Sequence, residues 1–242
     1  VSDECLDYLH AQMKPLWHKG GTPSRFGFGQ YTDDSQMARE LLASLAVYPE
    51  FDGDDYVRRL RPLFEQRLVI GPGLACTAAM DRVAAGTPWR EAGCEPPQAG
   101  NGTAMRAAPV GMLLGDRPDE MIRVARQQGW VTHRDLRCDA GSIAIAGAVS
   151  LALRGSCEPV SFCNQLADWM SEADREFADH VRRVPGLIGE PPEEALPWIA
   201  RAGKPAEYDD PWPGISPFVV GTVLWSLYAF LRTPDDYFAS VW

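Results

Sequence analysis

Apolar side chains recur at intervals of three and four residues along most of the chain, which is the spacing of one face of an α-helix. Alternating apolar and polar residues of the β-branched kind, typical of half-buried strands, are hard to find. The pattern therefore predicts an all-α fold. Predicted helices begin near Ser35, after Asp54, after Pro72, and near Ala104, Asp119, Asp139, Ser161, Ala173, Glu194, Ser216 and Asp235.

Two of these segments are unusually apolar. The segment from Asp139 to Leu153 consists almost wholly of small and apolar residues, so neighbours can pack closely on several of its faces, and we predict the central helix of a bundle. The segment from Ser216 to Leu231 predicts a buried helix with Ser216 as N-cap and Pro217 at the first helical position. Its length falls short of a comfortable membrane span.

Two regions lack any apolar period. Glu91 to Gly102 is rich in Gly, Pro, Ala and Gln, and Gly186 to Pro217 is rich in proline. We predict that both regions are loops held by a rigid scaffold. The second contains at most a short helix, around Glu194 to Ala200. Loops of this length usually have a function or are mobile.

The composition limits the size of the fold and the classes of binding partner. A chain of 242 residues that is 45% hydrophobic can build one large domain. The 23 basic and 33 acidic residues leave a net charge of -10 with no basic block, which argues against a nucleic acid or an anionic membrane as partner. An acidic chain that binds an anionic ligand needs metal ions or helix-start N–H groups. Six scattered cysteines without a C-x-x-C pair favour a reducing cytoplasm.

The first candidate site is the run of oxygen-bearing side chains Thr32, Asp33 and Asp34 where a loop enters a helix. Hard cations such as Mg²⁺ and Mn²⁺ take several oxygen ligands, and carboxylates beside a hydroxyl suit them. In the alternative interpretation, Asp33 or Asp34 only caps the helix. The motif by itself does not decide between the two.

The second candidate is the sequence G-N-G-T-A-M-R from Gly100 to Arg106. Two glycines let the backbone approach a ligand just ahead of a helix, where N–H groups, the Thr103 hydroxyl and the Arg106 charge can meet a phosphate. The alternative is an ordinary glycine-rich turn, because the sequence is neither a Walker loop nor a dinucleotide fingerprint.

The third candidate is T-H-R-D, from Thr132 to Asp135. His133 can contact a diphosphate or a ribose, and Asp135 can orient the imidazole or cap the next helix. A purely structural role for each residue is the alternative. The other histidines, His10, His18 and His180, have no spacing that suggests zinc.

The order of these motifs adds specificity. The chain carries Y-T-D-D-S-x-M, then G-N-G-T-A-M-R-A-A-P-V-G, then T-H-R-D-x-R-x-x-A-G, then F-V-V-G-T-V-L-W-S-L-Y-A-F-L-R-T-P-D-D. From about Phe26 onward it resembles the ADP-ribosylglycohydrolase family. The resemblance implies an orthogonal multi-helix bundle, a cleft for ADP-ribose beside two Mg²⁺ or Mn²⁺ ions, and hydrolysis of a glycosidic bond to ADP-ribose in a protein side chain or a small ADP-ribosyl compound.

The resemblance also implies roles for individual residues. The cations would hold the ribose hydroxyls and a water, and one carboxylate would orient that water or take its proton. A non-catalytic ADP-ribose-binding or crystallin-like structural relative is the alternative. The implied metal ligands are Thr32, Asp33 and Asp34, the implied catalytic residues are Asp33 and Asp34, and the implied substrate-binding residues are Gly100, Asn101, Gly102, Thr103, Met105 and His133.

Two segments typical of the family have no counterpart in this sequence. These are an opening helix of the G-D-A-L-G type with a metal-linked Glu, and a G-G-D-x-D-T segment after the last helix. We therefore expect a single domain over residues 1–242 that lacks its N-terminal and C-terminal family segments. Its metal cage would be incomplete, and the chain by itself would then be inactive.

Overall fold

The computed structural model describes residues 31–48, 50–205, 212 and 214–241. These residues form twelve α-helices, two short 3-10 helices and two isolated β-bridges, and they contain no β-strand. The predicted all-α bundle is confirmed. The α-helices are α1 (Asp33–Leu45), α2 (Gly53–Glu65), α3 (Leu74–Ala84), α4 (Trp89–Ala92), α5 (Ala108–Leu114), α6 (Pro118–Trp130), α7 (Leu136–Leu153), α8 (Pro159–Met170), α9 (Arg175–Arg183), α10 (Pro192–Arg201), α11 (Val219–Arg232) and α12 (Tyr237–Val241).

Helix α7 is the centre of the bundle, as its small residues predict. It packs against α5, α6, α8 and α11. Its N-cap is Asp135, whose carboxylate accepts a hydrogen bond from the Arg137 N–H at 2.9 Å. Among the described helices, α7 is long and apolar enough to cross a membrane by length and composition, but 61% of it is buried inside the protein, as in a core helix.

Glycines let neighbouring helices approach α7 closely. A Cβ atom on Gly111 of α5 would lie 2.0 Å from the carbonyl oxygen of Ala146 in α7. A Cβ on Gly147 would lie 2.7 Å from the Leu166 side chain of α8. Because the first contact is with backbone, it cannot be relieved by a side-chain rotation.

The Gly111→Ala variant should therefore lose stability. Its methyl group forces α5 and α7 apart, and overpacking of this kind costs about 1–3 kcal/mol. Urea unfolding of the variant and the unchanged protein measures the difference. Gly189→Ala is the control, since a Cβ there meets nothing within 4 Å. Equal midpoints for the Gly111 variant and the control would contradict the close approach.

The start of the last apolar helix differs from the prediction. That helix begins at Val219 with Phe218 as N-cap, so the predicted start at Ser216 and Pro217 is wrong. The reason is a long-range pairing: the Asn101 N–H donates to the Pro217 carbonyl at 2.8 Å, and the Val219 N–H donates to Ala99 at 2.9 Å. The chain stays extended through this pairing before the helix begins.

The helix predicted near Ala104 also begins later, at Ala108. Residues Asn101–Thr103 form a 3-10 helix instead, and the Met105 N–H donates to the Asn101 carbonyl at 3.0 Å. The turn therefore curls tightly before α5 starts. This tightly curled segment forms part of the wall of a cavity that Asn101, Gly102 and Met105 line.

Candidate functional site

A cavity of about 270 Å³ brings together residues that are far apart in sequence. Six of the predicted site residues line it: Asp33, Gly100, Asn101, Gly102, Met105 and His133. The rest of its wall is Gly73, Leu74, Ala75, Cys76, Gln98 and Pro217. We call this the ligand cavity. Thr32, Asp34 and Thr103 are predicted site residues that do not line it.

A neighbouring loop fixes the start of α1, and this positions the carboxylates. The Asp33 N–H donates to the Ile70 carbonyl at 2.9 Å. The Gln36 side chain donates to the Leu68 carbonyl at 3.0 Å and accepts from the Ile70 N–H at 2.8 Å. The side-chain amide of Gln36 thus bonds to both Leu68 and Ile70 of this loop, and Asp33 is held at the cavity wall.

The capping alternative for Asp33 and Asp34 is not what the structure shows. Thr32 is the N-cap, and the two aspartates are the first residues of the helix. The Thr32 hydroxyl accepts no bond from a helix N–H and instead donates to the Asp34 carboxylate at 2.8 Å. Neither carboxylate is therefore needed as a cap, although both gain from the positive end of the helix dipole.

The Asp33 carboxylate is buried without a cationic partner. Its residue is 9% exposed, and burial together with the adjacent Asp34 charge raises the pKa of Asp33 to about 6. Within the described part of the chain, no basic side chain forms an ion pair with Asp33 or Asp34. A buried charge is costly unless it is paired or coordinates a metal. The site therefore suits a cation.

The donor set fits a hard divalent cation in part. Thr32, Asp33 and Asp34 offer hydroxyl and carboxylate oxygens, which Mg²⁺ and Mn²⁺ prefer. Three ligands from one helix start are fewer than such ions require. Among the residues that the structure describes, no three or more His, Cys, Asp or Glu side chains cluster closely enough to hold a metal. These residues can thus supply only part of a metal cage.

Gly100 and Gly102 enclose the imidazole of His133. A Cβ on Gly102 would lie 2.7 Å from His133 Cε1, and a Cβ on Gly100 would lie 3.2 Å from His133 Nε2. Glycine is needed at both positions because a larger side chain would meet the His133 ring. The sequence motif alone did not reveal this requirement. Between them, the Asn101 N–H is already bonded to Pro217, so it is not free to bind a phosphate as the turn was expected to.

His133 is almost fully buried, with 2% of its surface exposed. Its Nδ1 contacts the Thr132 hydroxyl at 2.9 Å, and no described residue bonds to Nε2. Burial, and secondly the positive charge of Arg106, lower the pKa of His133 to about 4. The imidazole is therefore neutral at physiological pH, and Nε2 remains for a ligand.

The low pKa of His133 predicts a pH dependence of stability. The unfolded chain binds this proton near pH 6.5 and the folded chain only near pH 4, so the contribution of His133 to stability falls as the pH drops through that window. NMR titration of the imidazole protons measures the pKa directly. Titration of His133 near its usual value of 6.5 would contradict the burial seen here.

Arg106 is a residue whose role the sequence did not reveal. It is fully buried and bonds only to neutral acceptors, not to a phosphate in the cavity as first considered. Its Nη1 donates to the Gly102 carbonyl at 2.9 Å and its Nη2 to the Thr132 hydroxyl at 2.9 Å. Two more bonds go to the side chain and carbonyl of Gln128 at 2.6 and 2.8 Å. Arg106 thus ties the glycine turn to the segment that carries His133.

Thr103 and Asp135 have structural partners. The Thr103 hydroxyl is fully buried and donates to the Cys138 carbonyl at 2.8 Å, so its side chain does not reach the ligand cavity. Asp135 caps α7 and pairs with Arg137 at 2.7 Å. Of the two roles considered for Asp135, the structure shows the cap.

These features define an all-helical protein with an acidic helix start, a glycine turn and a neutral histidine around one cavity. The family model described as ADP-ribosylglycohydrolase matches residues 4–242. The chain belongs to this family, and the match begins well before Phe26, where the resemblance in the motifs starts.

Individual relatives agree with this assignment. ADP-ribosylhydrolase ARH3 of Xenopus tropicalis is 32% identical over 152 residues, which are 60% of this chain and 43% of the relative. ADP-ribosylhydrolase ARH3 of Gallus gallus is 30% identical over 188 residues, 74% of this chain and 48% of the relative. The chain thus spans about half the length of these curated relatives. A solved structure titled ADP-ribosylglycohydrolase-related protein complex is 29% identical with a TM-score of 0.63, covering 92% of this chain and 66% of that one.

Proposed function

We propose that this protein hydrolyses a glycosidic bond to ADP-ribose with the help of two divalent cations, Mg²⁺ or Mn²⁺. The observation that carries the proposal is the ligand cavity itself. Asp33, the turn from Gly100 to Gly102 and His133 lie far apart in sequence and line one cavity. The names of the ARH3 relatives and the family membership support the same reaction class.

The two aspartates have different positions, which separates their proposed roles. Asp33 lines the cavity, and Asp34 is exposed and holds the Thr32 hydroxyl. We assign the proton transfer to Asp33, because it is the carboxylate of the two that lines the cavity and can reach a water or leaving group there. Thr32 and both carboxylates would hold part of the cation pair. Bound cations would lower the pKa of a water and offset the diphosphate charge.

Other residues of the ligand cavity would provide the contacts for ADP-ribose. His133 presents Nε2 as a neutral hydrogen-bonding group, so no charge has to be desolvated when the ligand enters. Asn101 is placed beside it, with its amide 3.4 Å from the Thr222 hydroxyl. Met105 adds an apolar surface. A protein side chain or a small ADP-ribosyl compound as the leaving group, and a cytoplasmic location, belong to the same proposal.

The test is release of ADP-ribose from an ADP-ribosylated substrate by the full-length gene product. We expect turnover with Mg²⁺ or Mn²⁺ and none after chelation of the metal. Turnover that continues in a chelator would contradict the role of the cations. Calorimetry that shows ADP-ribose binding without turnover, with metal present, would favour a non-catalytic relative instead.

Gly102→Ala should weaken ADP-ribose binding. The added methyl group displaces the His133 ring, since it would lie 2.7 Å from Cε1, and also meets Cys76 Sγ at 3.1 Å. We expect an increase in Kd of about tenfold, which corresponds to about 1.4 kcal/mol. Calorimetry with ADP-ribose measures it. Gly214→Ala is the control, because a Cβ there meets nothing within 4 Å. An unchanged Kd for Gly102→Ala would show that the His133 position does not matter for the ligand.

A further inference from the structure

A second cavity, of about 300 Å³, includes in its wall Arg134, the residue that follows His133. Its wall is Arg90, Arg126, Trp130, Arg134, Leu136 and Asp139. We call it the arginine cleft. His133 lines the ligand cavity, and the adjacent residue Arg134 lines the arginine cleft.

The charge of the arginine cleft runs against that of the whole chain. Three arginines from α4, α6 and the segment before α7 converge here, although the chain has a net charge of -10. The lining includes one acidic residue, Asp139, which pairs with Arg126 at 3.2 Å. With Glu95, which pairs with Arg134, counted beside Asp139, three positive and two negative charges leave an excess of one. Such a local excess attracts an anion.

Two of the arginines can turn to a ligand without leaving a buried charge unpaired. Arg90 has no carboxylate partner among the described residues, and its guanidinium lies 4.3 Å from the centre of the Trp89 ring. Arg134 pairs with Glu95 at 2.5 Å, but the Glu95 side chain is 66% exposed. An exposed pair of this kind contributes little and is readily exchanged for another anion.

The rest of the wall is apolar and partly fixed. The indole N–H of Trp130 points to the Asp139 carboxylate at 3.4 Å, which fixes the orientation of the ring. Leu136 is 54% exposed. A flat ring and an aliphatic side chain beside two available guanidinium groups suit a ligand that carries both an apolar body and a compact anion.

We propose that the arginine cleft binds a phosphoryl group attached to an aromatic body, with nucleoside monophosphates as the chemical class. Planar guanidinium groups donate paired hydrogen bonds to phosphate oxygens, and Trp130 offers a face for the base. The cleft lies outside the ligand cavity, so this binding is separate from the proposed hydrolysis.

The test uses calorimetry of the whole chain with AMP as the probe, in excess chelator so that no cation is present in the ligand cavity. We expect saturable binding in the millimolar range or tighter. Arg90→Gln and Arg134→Gln should each raise the Kd about tenfold. Arg154→Gln is the matched control, since the Arg154 side chain is exposed and has no hydrogen bond or ion pair among the described residues, so its Kd should stay unchanged.

Further variants and probes identify which part of the ligand is bound. Trp130→Phe should weaken AMP binding and leave the binding of inorganic phosphate unchanged, and adenosine should bind less tightly than AMP. Arg90→Lys keeps the positive charge but lacks the planar guanidinium group that donates paired hydrogen bonds, so it should also weaken AMP binding. Circular dichroism confirms that each variant is folded.

Three results would overturn the proposal. The first is the absence of saturable AMP binding. The second is an equal loss of affinity in Arg154→Gln, which would indicate an effect of net charge alone. The third is AMP binding that is lost in Asn101→Ala and unaffected by Arg90→Gln, which would place the nucleotide in the ligand cavity.

Discussion

Arg106→Met is expected to destabilise the protein by about 1–3 kcal/mol for each buried acceptor that is left without a partner. The guanidinium is fully buried and donates four hydrogen bonds, two to Gln128, one to Gly102 and one to Thr132. Methionine approximates its volume but donates none of them, so buried acceptors lose their partners. Urea unfolding followed by circular dichroism measures the change in the free energy of unfolding.

The control and a second variant isolate the cause. Arg154→Met removes an exposed arginine and should change stability by less than about 0.5 kcal/mol. Arg106→Lys keeps the positive charge but cannot reproduce the planar fork, so it should also be destabilised. If Arg106→Lys were as stable as the unchanged protein, the charge rather than the hydrogen bonds would hold the turn in place.

Asp33→Asn is expected to reduce the release of ADP-ribose by about a hundredfold or more, in the full-length protein assayed with Mg²⁺ or Mn²⁺. The amide is close in size to the carboxylate, but it cannot accept a proton and is a poor ligand for a hard cation. Initial rates across a range of metal concentrations separate a loss of metal affinity from a loss of turnover.

The same variant should not be less stable when metal is absent. A carboxyl whose pKa is raised by folding destabilises the folded state above that pKa, so Asp33→Asn should gain stability near pH 8 and lose this advantage near pH 4. Asp116→Asn, at a site whose side chain is 81% exposed, is the matched control. Turnover by Asp33→Asn equal to that of the control would contradict the assigned role.

The helices were the most predictable part of the structure, because their signal is local. The small residues of α7 predicted the central helix, and most other helices begin within a few residues of the predicted positions. The failure at Ser216 and Pro217 has a physical cause. Good capping residues there are overridden by backbone pairing with the glycine turn, which no local pattern records.

The sequence predicted some of the residues that meet at the candidate site, but not how the site is built. Six of the nine residues named from the ordered motifs line one cavity, and the functional roles of all nine stay predictions. The sequence did not predict that Arg106 ties the glycine turn to the segment that carries His133. A single arginine near a helix start does not indicate that neutral acceptors will surround its side chain. The need for Gly100 and Gly102 was also hidden, since the histidine they enclose lies in another segment.

The pairing of the glycine turn with the first turn of α11 and the residues just before it has a consequence for the order of assembly. Asn101 and its partner Thr222 are separated by 121 positions, so a large loop must close before this wall of the cavity is fixed. Closing a long loop has an entropic cost that local helices do not face, and contacts of this range slow folding. During synthesis, the turn lacks its partner until α11 has left the ribosome. The middle helices of the bundle can therefore begin to assemble before the ligand cavity is complete.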